Sequence, residues 1–412
     1  MTIRRPILLG LAILLVVLVA APIALLWLQG ARAPAGGGAG EPSPSEVGPT
    51  DDAAAGPLEP GDIAWVFAPW IFAQGPGNHY VLQAGTLADP APLVDMEVPW
   101  AGDPETQVGR VPAVGRAIEG TVVYVADDGA GTAIHRLQIR ADGGDEVLAE
   151  MREIVWSMAV APDGQHAYLA LVARDDDEHD LGVVRLALDG SGELREVMPP
   201  SRPRASEPAG MRLAAIARFG VDLMMSAEGG HLLRRTCGAG ACTIDVLELE
   251  TGEVIDLGQR EVMGAAGGVI LGSRCTGVRC FAEAINLATG VAQELPFQGE
   301  AGITFFDGRA AIVYIEFGPD GGSVLRTLDP FDGETRDVLH VDEGGALMLS
   351  PPQGDLRISM PAGYVHAAFT TDIEKGGAAI PFTDVAVPLG GGAVIELPAP
   401  PIRHPDGLGV QG

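Results

Sequence analysis

The sequence predicts an all-β fold built from short strands that recur in similar groups along most of the chain. Beyond residue 62, short runs rich in Val, Ile, Leu and Tyr alternate with Gly, Asp and Pro turns, as strands do. No stretch of that region has the length and pattern of a helix of ten or more residues. Gly (57 residues) and Pro (32 residues) are abundant enough to supply the many turns that such a fold requires.

The runs form a repeat: an apolar strand, a Gly turn, a second apolar strand, a variable loop, a strand ending in Leu or Ile, a Gly turn and a short strand. Clear copies occupy residues 156–197, 222–258, 261–295 and 303–339. The glycine of the first turn is expected at Gly120, Gly164, Gly230, Gly268, Gly308 and Gly354. Four strands in about 40–50 residues is typical of a β-propeller blade, and blades close into rings because one blade cannot bury both its faces.

We predict seven blades, with six or eight as alternatives. Six copies of the unit are visible from residue 109 onward, and residues 62–85 begin a further one. Propeller rings usually close by pairing strands from the two ends of the chain. We therefore expect residues 393–398, AVIELP, to pair with residues 63–68, IAWVFA.

Residues 159–171, AVAPDGQHAYLAL, resemble the SPDG-type repeat of TolB-like and WD40-like β-propellers. Residues 349–360, LSPPQGDLRISM, resemble that repeat less closely. The resemblance concerns individual blades over residues 63–398 and implies the fold. It implies no activity, because that superfamily contains scaffolds, peptidase domains and sugar-active enzymes.

The chain before the repeats predicts a membrane anchor. An uncharged stretch at residues 6–28 has the roughly 20 residues needed to cross a bilayer, and Arg4 and Arg5 before it place the remainder outside the cytoplasm. The alternative is a cleaved signal peptide, which also exports the chain. We predict a cytoplasmic N-terminus, a transmembrane helix, a disordered linker, the propeller and a flexible tail, at residues 1–5, 6–28, 29–61, 62–398 and 399–412. The propeller is then expected at a bacterial cell surface or in the periplasm.

The four cysteines form two C-x4-C pairs, each flanking the predicted loop between a second and a third strand. Residues that bracket such a hairpin loop face each other at about 4.5–5.5 Å between Cα atoms, which suits a disulfide. We predict the bonds Cys237–Cys242 and Cys275–Cys280. The alternatives are a redox-active pair and a zinc site made by all four thiolates, and an oxidising compartment favours the disulfides.

The formal charge of −29 argues against nucleic acid and anionic lipid headgroups as partners. One acidic run offers the hard oxygen ligands that suit calcium, although it lacks the order of an EF-hand loop. Its members are Asp175, Asp176, Asp177, Glu178 and Asp180. The alternative is a solvated hairpin tip, and no other cofactor is expected.

No catalytic motif stands out. The eight histidines have no close metal-binding spacing, and His166 and His231 each follow a Gly turn directly, where they are expected to fill the start of a strand. Neither a G-x-S-x-G elbow nor a P-loop is present. The tryptophans are expected to pack in the core, and stacking on sugars is the alternative for Trp65, Trp70, Trp100 and Trp156.

The leading functional prediction is a membrane-anchored, extracytoplasmic propeller that binds or scaffolds a protein, a peptide or a cell-envelope glycan. The predicted binding face carries the loops between second and third strands, among them residues 174–180 and 318–323, because loops that differ on a regular scaffold carry function. One alternative is a propeller-based hydrolase or lyase acting on peptide or polysaccharide. Another is a structural role in an envelope assembly.

Overall fold

In a computed structural model of the chain, eighteen segments are described, and all of them lie in the compact unit 54–412. They are residues 64–67, 70–71, 79–87, 91–101, 114–117, 120–139, 144–174, 180–201, 220–238, 241–258, 260–276, 279–297, 301–318, 322–342, 346–349, 358–359, 363–370 and 383–397. The predicted anchor, linker and C-terminal tail lie outside them. Within them, no helix is long and apolar enough to span a membrane.

The secondary structure of the described residues is entirely β, as predicted, and its strands form seven sheets. Sheet 1 contains β1 (Ala64–Phe67), β2 (Trp70–Ile71), β3 (His79–Thr86), β4 (Val94–Pro99) and β26 (Ile358–Ser359). Sheet 2 contains β5 (Val114–Ala117), β6 (Thr121–Asp127), β7 (Thr132–Gln138) and β8 (Asp145–Met151). Sheet 3 contains β9 (Ile154–Val160), β10 (His166–Val172), β11 (Asp180–Ala187) and β12 (Leu194–Met198). Sheet 4 contains β13 (Gly220–Met225), β14 (His231–Gly238), β15 (Ala241–Glu248) and β16 (Val254–Gly258).

The remaining sheets follow the same plan. Sheet 5 contains β17 (Glu261–Ala266), β18 (Val269–Thr276), β19 (Arg279–Asn286) and β20 (Ala292–Glu294). Sheet 6 contains β21 (Ala301–Phe306), β22 (Arg309–Phe317), β23 (Ser323–Leu328) and β24 (Thr335–Val341). Sheet 7 contains β25 (Ala346–Leu349), β27 (Tyr364–Thr370), β28 (Thr383–Pro388) and β29 (Ile395–Glu396). In sheets 2 to 6, four consecutive antiparallel strands lie side by side in chain order, which confirms the predicted repeat.

Glycines with positive φ make the tight turns between the first and second strands of most sheets. Gly120, Gly164, Gly268 and Gly308 have φ values of 66°, 66°, 72° and 74°, which L side chains rarely adopt. These four turns are where the sequence predicted them. In sheet 4 the positive φ, 82°, belongs to Gly229, one residue before the predicted Gly230.

Apolar side chains fill the spaces between neighbouring sheets. One cluster joins sheets 1, 2 and 3, and four more join sheets 3 and 4, 4 and 5, 5 and 6, and 6 and 7. A sixth cluster joins sheet 7 to sheet 1 through Leu87, Ala386 and Leu397. Each sheet therefore buries both of its faces against its neighbours, and this cyclic packing of antiparallel sheets is the arrangement of a β-propeller.

Sheet 1 combines strands from distant parts of the chain. β1 pairs with β3 on one edge and with β26 on the other, through Val66 with Ser359 and Phe67 with Ile358. The predicted closure is wrong, because β29, within residues 393–398, pairs with β28 of its own sheet. The predicted turn at Gly354 lies outside the described residues. The second strand of sheet 7 instead follows Gly363, whose φ is 82°.

The sheets have two distinct ends. The loops between second and third strands and the connections between sheets lie at one end, called here the loop end. The first and third turns of each sheet lie at the other, called the turn end. The contacts between sheets preserve this order, since Arg174 at the loop end of sheet 3 bonds Gly129 at the loop end of sheet 2.

Candidate functional site

The loop end carries the loops that the sequence singled out. Residues 173–179 separate β10 from β11, and residues 318–322 separate β22 from β23. The two C-x4-C segments connect β14 to β15 and β18 to β19. Each of these loops joins a second strand to a third, as predicted, so loops of different composition lie at one end of a regular scaffold.

The backbone register places the cysteines of each pair opposite one another. Cys237 is the Cα partner of Cys242, and Cys275 is the Cα partner of Cys280. Cys242 is part of a disulfide. The register agrees with the predicted pairing, and the two specific bonds stay a prediction.

An arginine clamp fixes the start of the acidic loop. Arg174 Nη2 donates to Asp127 Oδ1 at 3.0 Å and to Thr132 Oγ1 at 2.9 Å, while its Nε donates to the carbonyl of Arg152 at 2.8 Å. The Asp127 side chain is fully buried, and its Oδ1 also accepts a hydrogen bond from the amide of Gly129. The clamp thus ties sheet 3 to the loop end of sheet 2.

The other end of that loop is tied down by Asp180. Its Oδ1 accepts a hydrogen bond from the amide of Gly182 at 2.7 Å, and its Oδ2 accepts from the amide of Ser201 at 2.6 Å and from the Ser201 hydroxyl. Asp180 therefore holds the connection that leaves sheet 3. The other four candidate calcium ligands, Asp175, Asp176, Asp177 and Glu178, lie outside the described residues, so the calcium site stays a prediction. The described residues contain no group of three or more side chains suited to a metal ion.

Arg234 holds the same connection from sheet 4. Its Nη1 donates to the carbonyl of Pro199 at 2.6 Å, and its Nε and Nη2 both donate to Asp245 Oδ2, at 3.2 and 2.7 Å. Its side chain is 6% exposed. A buried guanidinium with this many partners acts as a structural tie.

A polar group joins the first strands of sheets 3 and 4. Ser157 on β9 lies 3.2 Å from Asp222 Oδ1 on β13, and its hydroxyl oxygen accepts the amide of Leu223 at 3.1 Å. Arg235 on β14 lies 3.2 Å from the other oxygen of Asp222. This group combines a hydroxyl, a carboxylate and a guanidinium two residues before Cys237. Among the described residues, no histidine is hydrogen-bonded to the Ser157 hydroxyl, which is the usual activation of a serine nucleophile.

Two exposed groups differ from these ties. Asp128 lies in the loop after β6, and the amides of Gly131 and Ala130 hold its pKa below the ordinary value, so it remains a carboxylate. Phe317 ends β22 and is 65% exposed, which is unusual for a large aromatic side chain. Exposed aromatic side chains are common anchors of protein interfaces.

The described histidines and tryptophans have structural positions. His166 and His231 begin β10 and β14 at the turn end, as predicted, and His231 Nδ1 lies 3.4 Å from Glu228 Oε1. Trp100 and Trp156 are 0% and 3% exposed, which confirms core packing for these two. The side chains of Trp65 and Trp70 lie outside the described part of the structure. The sequence analysis did not identify Arg174, Arg234 and Arg235 as residues of the site. Their position beside loop-end turns in a strongly acidic chain was the feature that could have indicated a role in ion pairs.

Comparisons with known proteins give a fold resemblance and no family. No family model matches the chain, and no curated protein matches it. Among solved structures, the chain is similar to TolB from Acinetobacter baumannii, with 12% identity, 80% of this chain and 81% of that chain covered, and a TM-score of 0.36. It is also similar to an oligogalacturonate lyase in complex with manganese, with 12% identity, coverage of 80% and 84%, and a TM-score of 0.39.

A third similar structure is oligopeptidase B from Leishmania major, with 11% identity, coverage of 82% and 49%, and a TM-score of 0.46. The chain thus spans about half the length of that peptidase. The sheet topology and the cyclic packing of the sheets agree with the β-propeller fold that residues 159–171 implied. Similarities at these identities give neither an activity nor a substrate for this chain.

Proposed function

We propose that the chain is a membrane-anchored, extracytoplasmic, seven-bladed propeller that binds a protein or peptide partner at its loop end. The main support for the proposal is that charged side chains at the loop end hold the backbone of its loops and connections in place. Arg174, Asp180 and Arg234 each bond backbone groups and so hold loops and connections in place. This arrangement supports a rigid display of different loops, and pre-organised loops lower the entropy cost of binding.

The surface chemistry supports the same role. Phe317 offers an exposed aromatic side chain beside the loop at residues 318–322. The acidic loop at residues 175–179 begins and ends at the fixed residues Arg174 and Asp180. Aromatic anchors surrounded by polar loops are the usual composition of a protein-binding surface.

The proposed location rests on the sequence and on the cysteines. Residues 6–28 have the length of a membrane span, and the opposed cysteines of β14–β15 and β18–β19 support two hairpin disulfides. Disulfides persist in oxidising compartments, which agrees with export. Seven blades agree with the seven sheets and with the cluster that joins sheet 7 to sheet 1.

The test uses two phenylalanines of similar exposure at opposite ends of the sheets. The full-length chain is crosslinked in the cells that produce it, the enriched partner is identified by quantitative mass spectrometry, and its affinity for purified variants is measured. We expect Phe317→Ser to weaken partner binding about tenfold or more, as interface anchors do. Phe331→Ser, which changes a 57% exposed side chain at the turn end, should leave binding unchanged. If Phe331→Ser abolishes binding while Phe317→Ser binds fully, the binding face lies at the turn end and the proposal is wrong.

A further inference from the structure

Two arginines of sheets 4 and 5 lie on the faces that these sheets turn towards each other, and a third reaches the same space from the connection between the sheets. Leu233, Ile270 and Ile285 all belong to the apolar cluster that fills the space between the two sheets. Side chains two or four residues apart on a strand share a face. Arg235 therefore lies on the face of Leu233, and Arg274 on the face of Ile270.

The third arginine reaches the same space from the connection between the sheets. Arg260 precedes β17, and its Nη1 lies 2.6 Å from Glu283 Oε1. Glu283 is two residues from Ile285 on β19, so its 6% exposed side chain lies in the shared space. All three arginines are near the loop end, close to the two cysteine-bracketed hairpins.

These arginines use few of their hydrogen-bond donors. A guanidinium has five N–H groups. Among the described residues, Arg235 donates one hydrogen bond, to Asp222 at 3.2 Å, and its buried Nε has no acceptor. Arg260 has the single bond to Glu283, and Arg274 lies 3.7 Å from Glu294 with 59% of its side chain exposed.

The neighbouring Arg234 shows the difference between a structural arginine and an available one. Its Nε, Nη1 and Nη2 all have acceptors, and its side chain is almost fully buried. Arg235 is 23% exposed, so part of its guanidinium faces solvent. The exposed part of this guanidinium offers N–H donors from which a ligand can accept hydrogen bonds.

We propose that the space between sheets 4 and 5 at the loop end, called here the arginine cleft and defined by Arg235, Arg260 and Arg274, binds a carboxylate of a peptide partner. A planar carboxylate matches the planar fork of a guanidinium and accepts two hydrogen bonds from it. This proposal deepens the proposed function, on which it rests, by naming the chemistry that the partner presents.

The charge of the molecule selects the class of partner. The three arginines are matched by Asp222, Glu283 and Glu294, so the arginine cleft is locally neutral in a chain of charge −29. A uniformly anionic glycan would be repelled along most of its length by such a surface. A peptide segment with one or two carboxylates among neutral and basic residues places negative charge only in the cleft, and its basic residues are attracted to the surrounding surface.

The test measures binding of two fluorescein-labelled peptides, AKEAEKA and AKQAQKA, to the full-length chain by fluorescence polarisation. We expect the glutamate peptide to bind about tenfold more tightly, or about 1.4 kcal/mol, because its carboxylate accepts charge-assisted hydrogen bonds that the amide of glutamine does not. Arg235→Gln should remove most of this preference. Arg274→Gln, at an exposed position where folding is not at risk, should reduce it and weaken its dependence on salt.

Arg195→Gln is the matched control, because Arg195 is an exposed arginine on the outer strand β12, away from the arginine cleft. The proposal is overturned if the wild-type chain binds neither peptide or both equally, or if Arg235→Gln and Arg274→Gln keep the wild-type preference. Tighter binding of a glucuronic acid oligomer than of AKEAEKA would overturn the peptide class. If these variants bind the native partner normally while Phe317→Ser does not, the loop-end function stands and the arginine cleft is wrong.

Discussion

Replacement of Arg174 by Gln removes the clamp between sheets 2 and 3 and takes the Arg174 guanidinium away from the buried Asp127 carboxylate. The side chain of Arg174 donates four hydrogen bonds, to Arg152, Gly129, Asp127 and Thr132. Removing one partner of a fully buried ion pair costs about 3–5 kcal/mol. The Asp127 side chain is 0% exposed but that of Arg174 is 22% exposed, so we expect the lower end, about 3 kcal/mol in the free energy of unfolding.

The assay is urea unfolding of the purified chain, followed by tryptophan fluorescence and by far-ultraviolet circular dichroism. Asp127→Asn should also destabilise, and the double variant should lose less than the sum of the two single losses, because it leaves no unpaired charge. Arg309→Gln is the control, since the Arg309–Asp329 pair has an arginine that is 52% exposed and should contribute about 0–1 kcal/mol. A loss from Arg174→Gln no larger than that of the control would refute the reasoning.

Three other perturbations have defined outcomes. Burial disfavours the charged form of Glu228, but its hydrogen bonds outweigh burial and lower its pKa from 4.5 to about 2. The Glu228 carboxylate therefore stabilises the fold above pH 4.5, and this contribution is lost as the pH falls towards 2. In Glu228→Gln, the free energy of unfolding should fall by about 1–2 kcal/mol less over this pH range than in the wild type. The expected difference is modest because the carboxylate is partly solvent-exposed. Gly182→Ala should lower the free energy of unfolding by well over 1 kcal/mol, because a Cβ there would lie 2.5 Å from a backbone oxygen at a φ of 94°. Gly120→Ala is the control, because a Cβ there has no atom within 4 Å. It should cost only the strain of its positive φ, about 1–2 kcal/mol. Peptide mapping under non-reducing conditions should find Cys237 bonded to Cys242, and reduction should lower stability by about 2 kcal/mol per small closed loop; a bond between the two hairpins would contradict the register argument.

The parts of the fold that depend on residues close together in the sequence were predictable from it. Gly120, Gly164 and Gly268 mark turns because the local backbone requires a positive φ, and the cysteine hairpins follow from a spacing of four residues. Ring closure was not predictable, because β26 pairs only two residues and lies more than 280 positions after its partner β1. Two strands that far apart in the sequence leave no periodic pattern that would reveal their pairing.

The site was less predictable than the fold. Arg234 and Arg235 are adjacent and chemically identical in the sequence, yet one is a buried tie and the other retains unused donors. The difference arises because neighbouring residues on a strand point to opposite faces, one towards sheet 3 and the other towards sheet 5. That distinction depends on which sheets are neighbours, and Arg174 likewise gains its role only when sheet 2 lies beside sheet 3.

The composite construction of sheet 1 sets an order for biosynthesis. Chains emerge from the ribosome amino-terminal end first, and sheets 2 to 6 each consist of consecutive strands that can form as soon as they are synthesised. β1 must wait for β26, whose residues are made only after six further sheets have begun. Sheet 1 is thus begun first but completed only after sheets 2 to 6, and a nascent chain released before Ile358 would retain an unpaired edge on β1.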